Sequence, residues 1–98
     1  MQAEIHELAV KELDEAIEWY EIQSKGLGKK FKESVIKQIN KIKKYPDWYL
    51  IELDDIYKAY IPKYPYKILF TIGENEIITI WAFSHLHRKP WYWQKRMS

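Results

Sequence analysis

Apolar residues recur with a helical period near the start of the chain. Ala9, Leu13, Ala16, Ile17 and Tyr20 fall at i, i+4, i+7, i+8 and i+11, which gathers them on one face of an amphipathic helix over residues 7–24. Gly26-Leu27-Gly28 then interrupts the period, because glycine enters the left-handed geometry that ends helices. A second helix is predicted from about Lys29 to Lys44, with Phe31, Val35, Gln38/Ile39 and Ile42 facing inward. Pro46 stops it, since the residue before a proline is pushed out of helical geometry. So short a break makes the two helices an antiparallel hairpin.

Beyond Pro46 the period changes to two. Residues 56–61, 66–72 and 77–83 each alternate as strands do, with Pro62 and Pro65 at the first connection and a tight hairpin turn at Gly73-Glu74-Asn75. The last of these is apolar on both faces and is expected to be the central strand. Gln2–His6 is a candidate short strand pairing with it. Glu52-Leu53-Asp54-Asp55 reads as a solvated acidic loop, with the alternative that it supplies a base. The predicted class is α+β: a helical hairpin packed on one small antiparallel β-sheet, in the order (β)ααβββ, with a C-terminal tail. All 98 residues form one domain.

Composition narrows the function classes. The chain has no cysteine, which excludes a disulfide scaffold, a thiolate zinc site and thiol catalysis. No apolar run exceeds four residues and the N-terminus is polar, so neither a membrane helix nor a signal peptide is expected and a cytoplasmic location is. The net charge of +2 conceals a segregation. Residues 1–24 hold seven acids and one base, and residues 25–44 hold eight lysines and one acid. One reading is that the exposed edges of the two helices attract each other. The other is a lysine face for nucleic acid or an acidic partner.

The densest chemistry lies in residues 84–96, which contain His85, His87, Arg88, Lys89, Trp91, Tyr92, Trp93, Lys95 and Arg96 and no acid. Cations beside flat rings suit a nucleic-acid strand, and imidazole moves protons near neutral pH. The alternative is that Trp91 and Trp93 fold the tail back on the core, with Arg88 ion-paired to a sheet carboxylate. The aromatic content of 16% divides accordingly. Tyr20, Phe31, Phe70 and Trp81 are assigned to the helix–sheet core, and Trp91, Tyr92 and Trp93 to a possible contact surface. Two histidines without a third ligand do not make a metal site, and three glycines make no phosphate loop, so no cofactor is expected.

The helix carrying Trp19-Tyr20, the Gly26-Leu27-Gly28 break, Phe31, Tyr45-Pro46, the strand Tyr64-Pro65-Tyr66-Lys67-Ile68-Leu69-Phe70 and the ending His85-x-x-Arg88-x-Pro90-x-x-Trp93-x-x-Arg96 occur in a specific order. In that order and over nearly the whole chain the sequence resembles the RelE/ParE superfamily of toxins, closest to its ParE-like, plasmid-stabilisation branch. The resemblance implies a growth-inhibiting toxin of a type II toxin–antitoxin pair, neutralised by a cognate antitoxin. One branch cleaves mRNA on the ribosome without metal; another blocks DNA gyrase. For cleavage, the expected first mechanism, the resemblance places catalytic roles on Lys58, Lys67, Arg88 and Tyr92. His85 is an added proton-transfer candidate, and His87, Lys89, Trp91, Lys95 and Arg96 are target contacts. Tyr60, Lys67 and Leu86 stand where cleaving members carry other basic residues, which favours the gyrase inhibitor or a solitary binding module.

Overall fold

The computed structural model describes residues 1–97. Its elements are β1 (Gln2–Ile5), α1 (Glu7–Gln23), α2 (Leu27–Lys44), β2 (Leu50–Leu53), β3 (Ile56–Tyr60), β4 (Tyr66–Ile72) and β5 (Ile77–His85), with short 3-10 helices at Pro46–Trp48 and Gln94–Met97. The helical hairpin follows its apolar spacing: Ala9, Ala16 and Tyr20 of α1 and Phe31, Val35, Gln38 and Ile42 of α2 are buried. The turn between them depends on both glycines. Gly26 has φ 88°, and the Glu21 carboxylate accepts hydrogen bonds from the Gly26 and Gly28 N–H groups at 3.0 and 3.1 Å. These are orphan donors at the start of α2, and the negative charge suits the positive end of the helix.

Five strands form one mixed sheet in the order β1-β5-β4-β3-β2. Three differences from the predicted sheet follow. β1 does lie beside β5 but runs parallel to it, so only the β2–β5 part is antiparallel. The middle strand is β4; β5 is interior but second from the edge, and both its faces are apolar because Ile78, Ile80 and Phe83 pack under the helices and Ala82 against Trp93. The expected acidic loop is half strand: Leu50–Leu53 pairs with β3, and only Asp54 and Asp55 turn, Asp54 with φ 51°.

The sheet buries apolar side chains on both faces. Against the helices lie Ala59, Ile61, Ile68, Phe70, Ile78, Ile80 and Phe83. Tyr20, Phe31, Tyr64 and Tyr66 pack ring against ring at the same layer, with centroids about 5 Å apart where Phe31 meets the other three. On the opposite face a smaller cluster joins Ile56, Leu69, Ala82 and Trp93. Trp93 is 1% exposed, so the tail does fold back on the sheet there, whereas Trp91 remains 48% exposed. Trp81 is not in the helix–sheet core. It occupies the bulge where the β4–β5 register shifts, and its indole N–H donates to the Thr71 hydroxyl at 2.9 Å.

Candidate functional site

The candidate site forms where β4 begins, β5 ends and the tail turns back. Tyr66 pairs with His85 and Lys67 with Ser84 across the ladder, which sets the two strand ends side by side. The chain then leaves the sheet in a tight turn. The Leu86 N–H donates to the Pro65 carbonyl, the Arg88 N–H to the His85 carbonyl, and the His87 N–H to His85 Nδ1 at 3.1 Å. His85 Nδ1 therefore acts as an acceptor and leaves the neutral ring's proton on Nε2. The His85 ring stands edge-on to Tyr66, with centroids 5.1 Å apart.

A cleft of about 190 Å³ opens at this corner, with Glu52, Lys67, His85, Arg88, Lys89 and Trp91 among its walls. Five sequence-assigned residues thus meet in one place. Lys67 is already engaged: its ammonium lies 2.5 Å from Glu52 Oε1, with both side chains mostly buried. A second groove of about 220 Å³ shares His85 and Arg88 and is bounded by Glu12, Glu15, Trp19 and Tyr66. His85 and Arg88 thus stand between two depressions.

Glu12 of α1 organises the tail. Its carboxylate accepts from the Tyr92 hydroxyl at 2.5 Å, from the Arg96 guanidinium at 2.8 and 3.0 Å, and from the Phe83 N–H at 3.2 Å. Arg96 also donates to the Trp81 carbonyl at 2.9 Å. Arg88 approaches the same carboxylate at 3.6 Å and lies over the Tyr92 ring, 3.9 Å from its centroid. Its expected ion pair therefore goes to a helix carboxylate rather than a sheet carboxylate. Burial, reinforced by the hydrogen bond to Glu12, pushes the Tyr92 hydroxyl up to about 12, so at neutral pH it is a held donor.

The remaining assigned residues lie apart from the cleft. Lys58 sits on the same sheet face but diagonal to Lys67, with its ammonium 5.9 Å from the Tyr60 ring centre, and it lines a different cavity beside Trp48 and Leu50. His87 is exposed, its ring 5.4 Å from that of His85. Lys95 is exposed in the last 3-10 helix. Of the two carboxylates that hold the site, Glu12 was absent from the sequence assignment and Glu52 entered only within an acidic loop able to supply a base. Glu12 carried a signal, since it lies three residues from Ala9 and four from Ala16 at the rim of the buried face. Glu52 carried none once its segment was read as loop.

The cleft offers three cationic groups, one of them paired with Glu52, an imidazole and the exposed Trp91 ring, a set suited to anionic or aromatic ligands. Among the described residues no helix is long and apolar enough to cross a membrane. A family model described as ParE toxin of the type II toxin–antitoxin system parDE matches residues 3–90. No curated protein matches the chain in sequence. Among solved structures, it is similar to a chain of the chromosomal ParDE toxin–antitoxin system from P. aeruginosa, with a TM-score of 0.77, 13% identity, and 89% of this chain and 97% of that one covered. It is also similar to the isolated E. coli RelE toxin, with a TM-score of 0.65, 16% identity, and 99% and 98% covered. At such identities the likeness establishes a common fold. With most of its length matched by the family model and its α+β architecture shared with both toxins, the chain belongs to the ParE toxin family of type II toxin–antitoxin systems.

Proposed function

We propose that this toxin inhibits growth by binding a protein target without catalysis, with DNA gyrase, the target of the ParE-like branch it resembles, as the first to test. The observation that supports this reading is the state of the groups assigned to RNA cleavage. Lys67, Arg88 and Tyr92 each lie against a carboxylate of the chain itself, Glu52 or Glu12. Metal-free cleavage needs cations free to stabilise a charged phosphorane and groups free to move protons. A carboxylate beside each candidate offsets its charge and repels the scissile phosphate. Lys58, the other assigned lysine, lines a separate cavity.

Ribosome-associated mRNA cleavage is the second reading, favoured by one observation: Lys67, His85, Arg88 and Lys89 line a single cleft. One experiment separates the two. The toxin is induced in growing cells, mRNA ends are mapped, and gyrase supercoiling is assayed in parallel with purified protein. Lost supercoiling with intact mRNA supports the binding reading. New ends at codon boundaries, reduced roughly 10²–10⁴-fold by Arg88→Ala, would establish cleavage instead. The family implies an antitoxin partner, which we expect to be acidic overall.

A further inference from the structure

The lysines of α2 are not spent on α1. Among the described residues no carboxylate of α1 forms an ion pair with them; the only α1 acid in an ion pair is Glu12, which holds Arg88 and Arg96. Helical geometry explains the separation. Gly28 packs against the Ile17 carbonyl and so marks the α1 side of α2. Lys37, nine residues on, is turned about 180° from it. Lys30, Ser34, Lys37, Lys41 and Lys44 follow at i, i+4, i+7, i+11 and i+14, a single stripe roughly 21 Å long on the flank away from α1.

That stripe borders a groove. Lys37 and Lys41 face Pro62 and Lys63 of the β3–β4 connection across a depression of about 250 Å³. Its floor is fixed, because the Gln38 amide donates to the Tyr60 carbonyl at 2.7 Å and accepts from the Tyr49 hydroxyl at 3.4 Å. Lys63 is held at φ 73°, a conformation that non-glycine residues seldom adopt. Gln38 also lines the adjoining cavity of about 260 Å³, with Trp48, Lys58 and Tyr60. At this end of the stripe Lys44 lies 5.4 Å from the Tyr45 ring centre. Tyr45 stacks on Trp48 at 4.0 Å and 4°. Tyr45 covers one face of the Trp48 ring, and the residue is 67% exposed.

We propose that this face binds a single-stranded nucleic acid, with phosphates along the Lys37–Lys41–Lys63 groove and an unpaired base stacked on Trp48. A cation-lined track leading to a flat aromatic platform is the arrangement that holds single strands without reading sequence. An acidic polypeptide would satisfy the lysines equally, but the flat, exposed Trp48 ring at the end of the track suits a stacked base. A duplex would leave Trp48 without a base to stack on. The face is built from α2, the β3–β4 connection and the Pro46–Trp48 turn, so it is independent of the tail cleft and of how the toxin acts there.

The test is fluorescence anisotropy of the full-length protein with labelled oligo-dT and oligo-rU of about twelve nucleotides, titrated with salt. Binding is expected to weaken steeply with salt. The triple variant K37Q/K41Q/K63Q should lower the slope of log K against log salt by about 2, since each single-strand phosphate contact contributes about 0.7. Trp48→Ala should weaken binding roughly 5- to 150-fold. Melting curves confirm that both variants fold. Binding to both oligonucleotides points to phosphate and base alone, and binding confined to oligo-rU adds the 2′-hydroxyl to the site; either supports the proposal. Unchanged affinity in the triple variant or in Trp48→Ala overturns it. So does loss of binding in Arg88→Ala with the triple variant unaffected, which moves the site to the tail. Polyglutamate displacing the oligonucleotide equally well from wild type and Trp48→Ala assigns the face to an acidic polypeptide.

Discussion

Replacing Glu12 with alanine should loosen the tail from the body of the toxin, and the size of the effect follows from what the carboxylate holds. The Arg96 pair is the largest part. Both side chains are nearly buried, 11% and 12% exposed, and the contact is bidentate. Removing one partner of such a pair strands a desolvated charge and costs about 3–5 kcal/mol. The Tyr92 hydroxyl and the Phe83 N–H lose their acceptor in the same step, which places the variant toward the upper part of that range. Arg88 adds little, because at 54% exposure water screens it. Domains of this size unfold at about 5–15 kcal/mol, so the loss is a large fraction of the total. At about 4–8 °C per kcal/mol, Glu12→Ala should melt at least roughly 12 °C below wild type by circular dichroism. Glu12→Gln keeps an acceptor oxygen and should lose less. Limited proteolysis gives the local readout: tryptic cleavage after Arg88 should accelerate in Glu12→Ala before global unfolding begins. A Glu12→Ala protein melting within about 3 °C of wild type, with an equally resistant tail, would refute the reasoning.

Stability should fall at alkaline pH. The Tyr92 hydroxyl is raised from 10.0 to about 12 in the folded chain, so the unfolded state releases that proton first; the stabilisation is complete below pH 10 and fades as pH rises through 12. Burial raises Tyr20, Tyr49 and Tyr66 in the same direction. Urea midpoints measured at neutral pH and at about pH 11 should show the drop, and Tyr92→Phe should reduce it. In the helical hairpin, Gly28→Ala should cost about 1–3 kcal/mol despite alanine's better helix propensity, because its Cβ would sit 2.7 Å from the Ile17 carbonyl oxygen. Gly26→Ala meets no neighbour within 4 Å and bears only the strain of φ 88°, about 1–2 kcal/mol. Thermal melts that rank Gly26→Ala as the more damaging would contradict this account.

The helices were legible because burial there is periodic: every residue assigned to the α2 face lies at or near the core. The strands were legible where alternation was long, as in β4 and β5. β2 escaped because its side chains do not alternate in environment. Leu50 and Ile51 on this edge strand are both exposed, so the sequence there carries no period-two signal. The parallel direction of β1 escaped for another reason. Direction depends on how α1 returns to the sheet, and four residues of strand carry no mark of it.

The same division explains the tail. Its composition is acid-free, which reads as a surface awaiting an anion, yet two of its strongest donors are already satisfied. The acceptor is Glu12, 80 residues from Tyr92 and 84 from Arg96, and no local pattern joins positions so far apart. What local pattern does carry is the small-residue face around Ala9 and Ala16, which leaves room for a carboxylate at its rim. The tail is therefore two things by turns along its length. Tyr92, Trp93 and Arg96 close it onto α1 and the far face of the sheet. Lys89 and Trp91 are left exposed by that closure, Trp91 at φ 57°, while Arg88 lies half-exposed across the Tyr92 ring. The clasp and the contact surface are not competing readings of one segment: the buried residues are what hold the exposed ones in place.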